Sequence, residues 1–186
     1  NPMASPDILG INSACSFFIL LYSIYLFKIF DLSILVCSLF GALLGFLVTI
    51  FSSVEDKKLH QTRLIITGVA VGALFKALSQ FLVMQSDEKL SSIVSFITGT
   101  LYLVNWETLK QIFIPSLILS IIPFFFHKKL VILLLCDEIS NSIGFNVTKW
   151  KIIIIFCSLS LAAVAVAGSG SLGFVGLIAP NISKMI

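Results

Sequence analysis

Charged side chains are scarce in this 186-residue chain: they make up 11% of it, 12 Lys and Arg against 9 Asp and Glu, with only 2 His. A soluble domain carries about 25% charged residues. So few polar groups cannot wrap a single aqueous core, which excludes an ordinary soluble enzyme. The net charge of +3 is too weak to mark a polyanion-binding module. Cys15, Cys37, Cys136 and Cys157 show no CxxC or Cys/His ligand spacing, so neither a disulfide framework nor a zinc site is supported. They read as small buried apolar residues. No GxxxxGK[ST] stretch occurs, so the chain does not cradle a nucleoside triphosphate by itself. A basic stretch followed by a short apolar run and a small-residue cleavage site is also missing, so there is no signal-peptide pattern. The first residue is Asn1 rather than Met, and the chain reads as a section of a longer or processed protein. Period-2 alternation is absent, which argues against a membrane barrel.

What is abundant is apolar length. Hydrophobic residues make up 58% of the chain and its mean hydropathy is +1.10. A membrane helix needs about 20 mostly apolar residues. Five stretches qualify: Ile8–Phe27, Leu32–Phe51, Leu64–Met84, Leu109–Phe126 and Ile152–Gly168, the fourth interrupted by Pro115 and Pro123. Backbone groups in lipid must be satisfied within the segment, so these are helices. The fold class expected is an all-α polytopic membrane protein. A single domain covers residues 1–186, with a further segment starting at 173–186.

The few charges set the orientation. Lys57, Lys58 and Arg63 fall between the second and third spans, and Lys128, Lys129, Lys149 and Lys151 between the fourth and fifth. Positive charge collects in cytoplasmic loops. These two links are therefore cytoplasmic, and those at Lys28–Asp31 and Gln85–Gln111 are outside. The outer link carries an apolar stretch, Ile93–Val104, which reads as a short interfacial helix followed by Trp106 as an anchor. The cytoplasmic link carries Asp137 and Glu138, then a mixed stretch ending at Gly144. That reads as a short helix with an acidic start and a Gly stop, suited to docking a soluble partner.

Several residues invite a chemical reading. Gly168 to Gly173 fits GxGxxG letter for letter, yet a dinucleotide site needs a preceding strand and a later acidic residue. Here a membrane span precedes it, so the stretch reads as a broken helix that re-enters at Phe174–Pro180. Lys76 is the only charge deep in a span, where such a group faces a bundle interior or water. Gly68, Gly72, Lys76 and Gln80 are spaced four apart, the spacing of one helix face, and the two glycines allow close helix approach. Snorkelling would have to cover about 12 Å from Lys76 to Met84. His60 and His127 sit among interfacial lysines and read as solvated. Asp137 and Glu138 are adjacent rather than facing, which disfavours an acid–base pair.

Taken together, five stretches resemble the permease subunits of the iron-siderophore and vitamin B12 family of ABC importers. Asn1-Pro2-Met3-Ala4-Ser5-Pro6-Asp7-Ile8-Leu9-Gly10-Ile11 is similar to its NPLA-x-P-x-x-LG stretch. Arg63 to Ala70 resembles its R-L-x-L-x-G-x-A span opening. Thr98-Gly99-Thr100 followed by Trp106 resembles its outer loop. Asp137-Glu138-Ile139-Ser140 with Ile143-Gly144 resembles its G-[DE]-E-x-A-x-x-L-G loop, and Gly173 to Pro180 its F-V-G-L-x-x-P-H stretch. Cys136 and Ser140 stand where the family usually has Gly and Ala, and Asn181 and Lys184 where His and Arg are common.

The resemblance implies a dimeric permease of the bacterial inner membrane that moves a ferric siderophore or a related iron, haem or cobalamin chelate. It implies no enzyme activity and no cofactor on this chain, with ATP and magnesium on a separate ATPase. Its implied partners are that ATPase, a second permease subunit, membrane lipid and a periplasmic or lipid-tethered binding protein. Asp137, Glu138, Ile139, Ser140, Ile143 and Gly144 would couple to the ATPase. Gly99 and Trp106 would form an outer gate or docking element. Gly173, Phe174, Gly176, Pro180 and Asn181 would form the broken helix. Gly68, Gly72, Lys76 and Gln80 are the candidate pathway wall. Ion-coupled secondary transport and a purely structural membrane role are the alternatives, and the first lacks intramembrane acids.

Overall fold

The computed structural model describes residues 9–26, 33–55, 58–59, 61–85, 106–126, 147–171, 178 and 182. A helix lies over each of the five long apolar stretches. Helix α1 is Ile11–Leu21, continued by a π-helical turn at Tyr22–Leu26; α2 is Ile34–Ser53, α3 Gln61–Gln85, α4 Trp106–Phe125 and α5 Val147–Ser169. Two-residue strands β1 (Val54–Glu55) and β2 (Lys58–Leu59) pair antiparallel between α2 and α3, with Val54 opposite Leu59. This tight ribbon, unsignalled in the sequence, turns the chain from one long helix into the next. Ile34–Ser53, Thr62–Gln85 and Lys149–Ser169 are long and apolar enough to cross a membrane, while Ile11–Tyr25 and Leu109–Pro123 are shorter apolar helices.

Two details depart from the expected spans. The π turn follows α1 without a Pro or Gly; Ser23 Oγ donates to the Ile19 carbonyl at 2.9 Å beside it. Hydroxyls that bond back to the preceding turn loosen regular helix geometry. Conversely, Pro115 and Pro123 sit inside α4 without ending it. Proline frees a carbonyl one turn back, and membrane helices tolerate this where local hydroxyls and neighbours compensate. Ser116 and Ser120 donate to the carbonyls of Phe113 and Ser116, at 2.9 and 2.7 Å, not to the Gln111 and Leu119 carbonyls that the two prolines free.

Helix α1 occupies the centre, against α2, α3 and α5; α2 also touches α3 and α5, and α4 makes its main contact with α5. The seam between α1 and α2 is built from small residues. On α2 the buried set is Ser38, Gly41, Ala42, Gly45, Thr49 and Ser53, a stripe with helical spacing. A Cβ on Gly41 would sit 2.9 Å from the Ala14 carbonyl oxygen, and one on Gly45 only 2.5 Å from the Ala14 Cβ. The two backbones therefore meet directly at Gly41, and at Gly45 only the Ala14 methyl lies between them. With lipid as solvent, such close packing replaces the hydrophobic effect as the source of cohesion. One buried cluster joins Ile11, Cys15 and Ile19 of α1 to Ala42, Leu159, Ala163, Val166 and Ala167. The Ser38 hydroxyl ties α2 to α5 by donating to the Ala163 carbonyl at 2.7 Å.

The outer surfaces are the opposite of a soluble protein's. Phe51, Ile66, Phe81, Met84 and Phe113 are all exposed. Large contiguous apolar surface of this kind marks a membrane or protein contact. Cys15 is buried and Cys37 and Cys157 are partly buried, all as free thiols.

Candidate functional site

The candidate pathway residues lie on α3, whose seating is set by its first half. Gly10 precedes α1 in the left-handed region, at φ 72°, and its carbonyl accepts the Ala14 N–H at 3.1 Å. A Cβ there would come within 2.8 Å of both the Gly68 carbonyl oxygen and the Gly72 nitrogen. Only glycine satisfies the backbone angle and the contact together. The close approach expected of Gly68 and Gly72 is thus a backbone contact with Gly10.

Hydroxyls lock the same junction. Thr49 Oγ1 donates to the Leu9 carbonyl at 3.1 Å and to the Gly45 carbonyl at 2.9 Å. Ser53 Oγ bonds the Thr49 carbonyl and meets Thr67 Oγ1 at 2.6 Å. Thr67 Oγ1 also lies 2.8 Å from the Arg63 carbonyl. Further along α3, Phe75 packs on Phe17 and Phe18, with centroids 5.6 and 6.4 Å apart. At its far end Tyr25 Oη donates to Gln85 Oε1 at 3.3 Å. Helix α3 is therefore fixed at its start, middle and end.

This seating decides where its other side chains go. Gly68, Val71, Gly72, Phe75, Ser79 and Val83 are buried, while Lys76 and Gln80 are exposed. The four candidate residues do not share one packed face. A four-residue step overshoots a full turn by about 40°, so Lys76 stands about 80° and Gln80 about 120° round from Gly68. The glycines pack on α1 and the polar pair turns away. Lys76 lies nine residues before Gln85, about 14 Å along the axis, and makes no ion pair among the described residues. Within a membrane span such a charged side chain usually faces a bundle interior or water.

Trp106 opens α4 and is 80% exposed, the disposition of an interfacial aromatic. Gly99, the coupling residues Asp137, Glu138, Ile139, Ser140, Ile143 and Gly144, and the broken-helix residues Gly173, Phe174, Gly176, Pro180 and Asn181 lie outside the described residues. The hydroxyls of Thr49, Ser53 and Thr67, which carry the junction, and of Ser38, which ties α2 to α5, were not among the sequence-derived candidates. Their signal was the recurrence of small residues at 38, 41, 45, 49 and 53 on α2.

The profile of the FecCD transport family matches residues 1–186. Among curated relatives, the Fe(3+)-citrate import system permease protein YfmE of Bacillus subtilis is 31% identical over 186 residues, covering 100% of this chain and 56% of its own. The molybdate import system permease protein MolB of Haemophilus influenzae is 34% identical over 191 residues, covering 100% and 55%. A solved structure described as an inward-facing conformation of a transporter assigned to the metal-chelate ABC type superposes with a TM-score of 0.79 at 31% identity. That match covers 100% of this chain and 59% of the other. The chain thus spans little more than half the length of these relatives. With a whole-length profile match and a shared helical bundle, the chain belongs to the FecCD transport family.

Proposed function

We infer that this chain is part of a permease subunit of an ABC importer that carries chelated iron across a bacterial inner membrane. The observation that carries the reading is the family match along all 186 residues. Relatives named for Fe(3+)-citrate and iron(3+)-hydroxamate import support the cargo. The permease pairs with a second permease subunit, identical or not. A binding protein delivers the chelate from outside, with Gly99 and Trp106 at the gate it meets. A separate ATPase binds ATP and magnesium, and this chain binds neither. The short acidic helix at Asp137–Gly144 docks on that ATPase, and its closure biases a bundle with two access states. The broken segment Gly173–Asn181 supplies the irregular backbone that a pathway needs. On α3, Lys76 and Gln80 form part of the pathway wall, where a cation would meet the carboxylate or hydroxamate oxygens of a ferric chelate.

A second cargo has a specific observation behind it. MolB is 34% identical, and an oxyanion would also suit an intramembrane ammonium. The test is uptake by the full-length protein reconstituted with its ATPase and binding protein. Radiolabelled ferric citrate, a ferric hydroxamate and molybdate are supplied in parallel. ATP-dependent uptake of an iron chelate supports the first reading, and of molybdate alone the second. Uptake that proceeds without any ATPase ends both. Glu138→Ala and Gly144→Val should each weaken ATPase association; unchanged association would remove the docking assignment.

A further inference from the structure

Helix α4 leaves an apolar groove against α5. Near the α4 C-terminus it is lined by Ile122, Pro123 and Phe126 on one side and by Trp150, Cys157 and Leu161 on the other, around a cavity of about 170 Å³. An apolar cavity of about 150 Å³ suffices for a benzene-sized hydrocarbon. The Phe126 and Trp150 rings close its end, 5.1 Å apart and inclined at 56°. From Trp150 to Leu161 the groove runs about 16 Å along the axis. That is about half the hydrocarbon thickness of a bilayer, or one leaflet.

The end of the groove is electrostatically marked. Lys149 and Lys151, both exposed, flank Trp150 in sequence. A Trp between two lysines where a membrane helix begins is an interfacial anchor. The positive-inside rule puts that end at the cytoplasmic leaflet, which carries anionic headgroups. We propose that the α4–α5 groove holds one acyl chain of an anionic phospholipid of the cytoplasmic leaflet, its phosphate at Lys149 and Lys151. Apolar lining, single-leaflet length and two lysines where the groove begins select such a lipid over a protein helix. A helix would be about 10 Å wide with side chains and would gain nothing from two ammonium groups at its tip. This site is independent of the cargo and needs only that α5 crosses the membrane with its Lys149–Lys151 end at the cytoplasmic leaflet.

The test uses the full-length protein with its ATPase in nanodiscs. These contain either a phosphatidylglycerol or a phosphatidylcholine bearing a photoreactive group near the end of one chain. Label should appear on the peptides holding Ile122–Phe126 and Trp150–Leu161, several-fold more from phosphatidylglycerol. Lys149→Gln with Lys151→Gln should bring that labelling down to the phosphatidylcholine level, since each basic residue near the surface favours anionic lipid by roughly fivefold. Ser158 also lines the groove, so Ser158→Phe should fill it and abolish labelling there, leaving label elsewhere on the protein unchanged. Equal labelling by both lipids, insensitive to the lysine changes, would reduce the site to ordinary lipid contact and overturn the proposal. A thiol-attached photoprobe on Cys157 that crosslinks to another protein segment instead of lipid would overturn it too. Should Ser158→Phe not fold, the exposed lysine pair still decides.

Discussion

The two ends of this bundle are packed by different means. Where α1 crosses α2 and α3, the main chains close up: a Cβ on Gly10 or Gly41 would strike backbone within 2.9 Å, one on Gly45 the Ala14 Cβ at 2.5 Å, and one on Gly72 the Gly10 Cα at 3.3 Å; hydroxyls bridge what remains. Where α4 meets α5, bulky side chains hold the helices apart and enclose apolar space. Even the glycine there behaves differently. A Cβ on Gly168 would meet only the Ile112 side chain, Cδ1 at 3.0 Å and Cγ2 at 3.7 Å, and the nearer atom is the movable tip of a flexible chain. The lesson is that a glycine's cost of substitution depends on what it faces. Backbone cannot retreat, and a side-chain end can.

Substitutions can break this contrast in order of severity. Gly10→Val is the most damaging, because it combines a left-handed φ with a contact of 2.8 Å to two backbone atoms. Backbone strain and overpacking cost about 1–3 kcal/mol each, so the full-length protein should lose its monodisperse folded peak in detergent. Gly41→Ala meets the Ala14 and Cys15 backbone alone and should cost about 1–3 kcal/mol, read as a lowered thermal midpoint. Thr49→Val removes the hydroxyl that reaches the Leu9 and Gly45 carbonyls. Interhelical hydrogen bonds in membranes average about 0.6 kcal/mol with a maximum of about 1.7, so a small but measurable fall is expected. Gly168→Ala should stay within about 0.5 kcal/mol of the parent. A Gly168→Ala loss as large as that of Gly41→Ala would erase the distinction between the two ends.

Much of this fold was legible because a bilayer is a simple solvent. Runs of about 20 apolar residues had to become helices, and helices stand over all five. The family was legible from residues whose reasons are now physical: Gly10, at the end of the Asn1–Ile11 stretch, fills a space that admits no Cβ. What stayed hidden depends on partners. Gly68 and Gly72 announced a close approach without saying to what. The spacing of Lys76 and Gln80 from those glycines suggested a shared face, because a four-residue step was read as an exact turn. Propensity does not foresee the π turn after α1 or the unbroken passage of α4 through Pro115 and Pro123. Ser38, Thr49 and Ser53 were visible as a small-residue stripe, but the hydroxyl bonds they make required the fold.

The function proposed above has α3, pinned by α1 and α2, turn Lys76 toward a water-filled pathway that opens and closes with transport. The direct measurement is the reaction rate of Lys76→Cys in the full-length protein, assembled with its ATPase, toward a water-soluble thiol reagent. It is taken with and without ATP and read above the background of the unsubstituted protein. The account predicts reaction that changes severalfold between the two conditions. A cysteine there that never reacts in either state would contradict it.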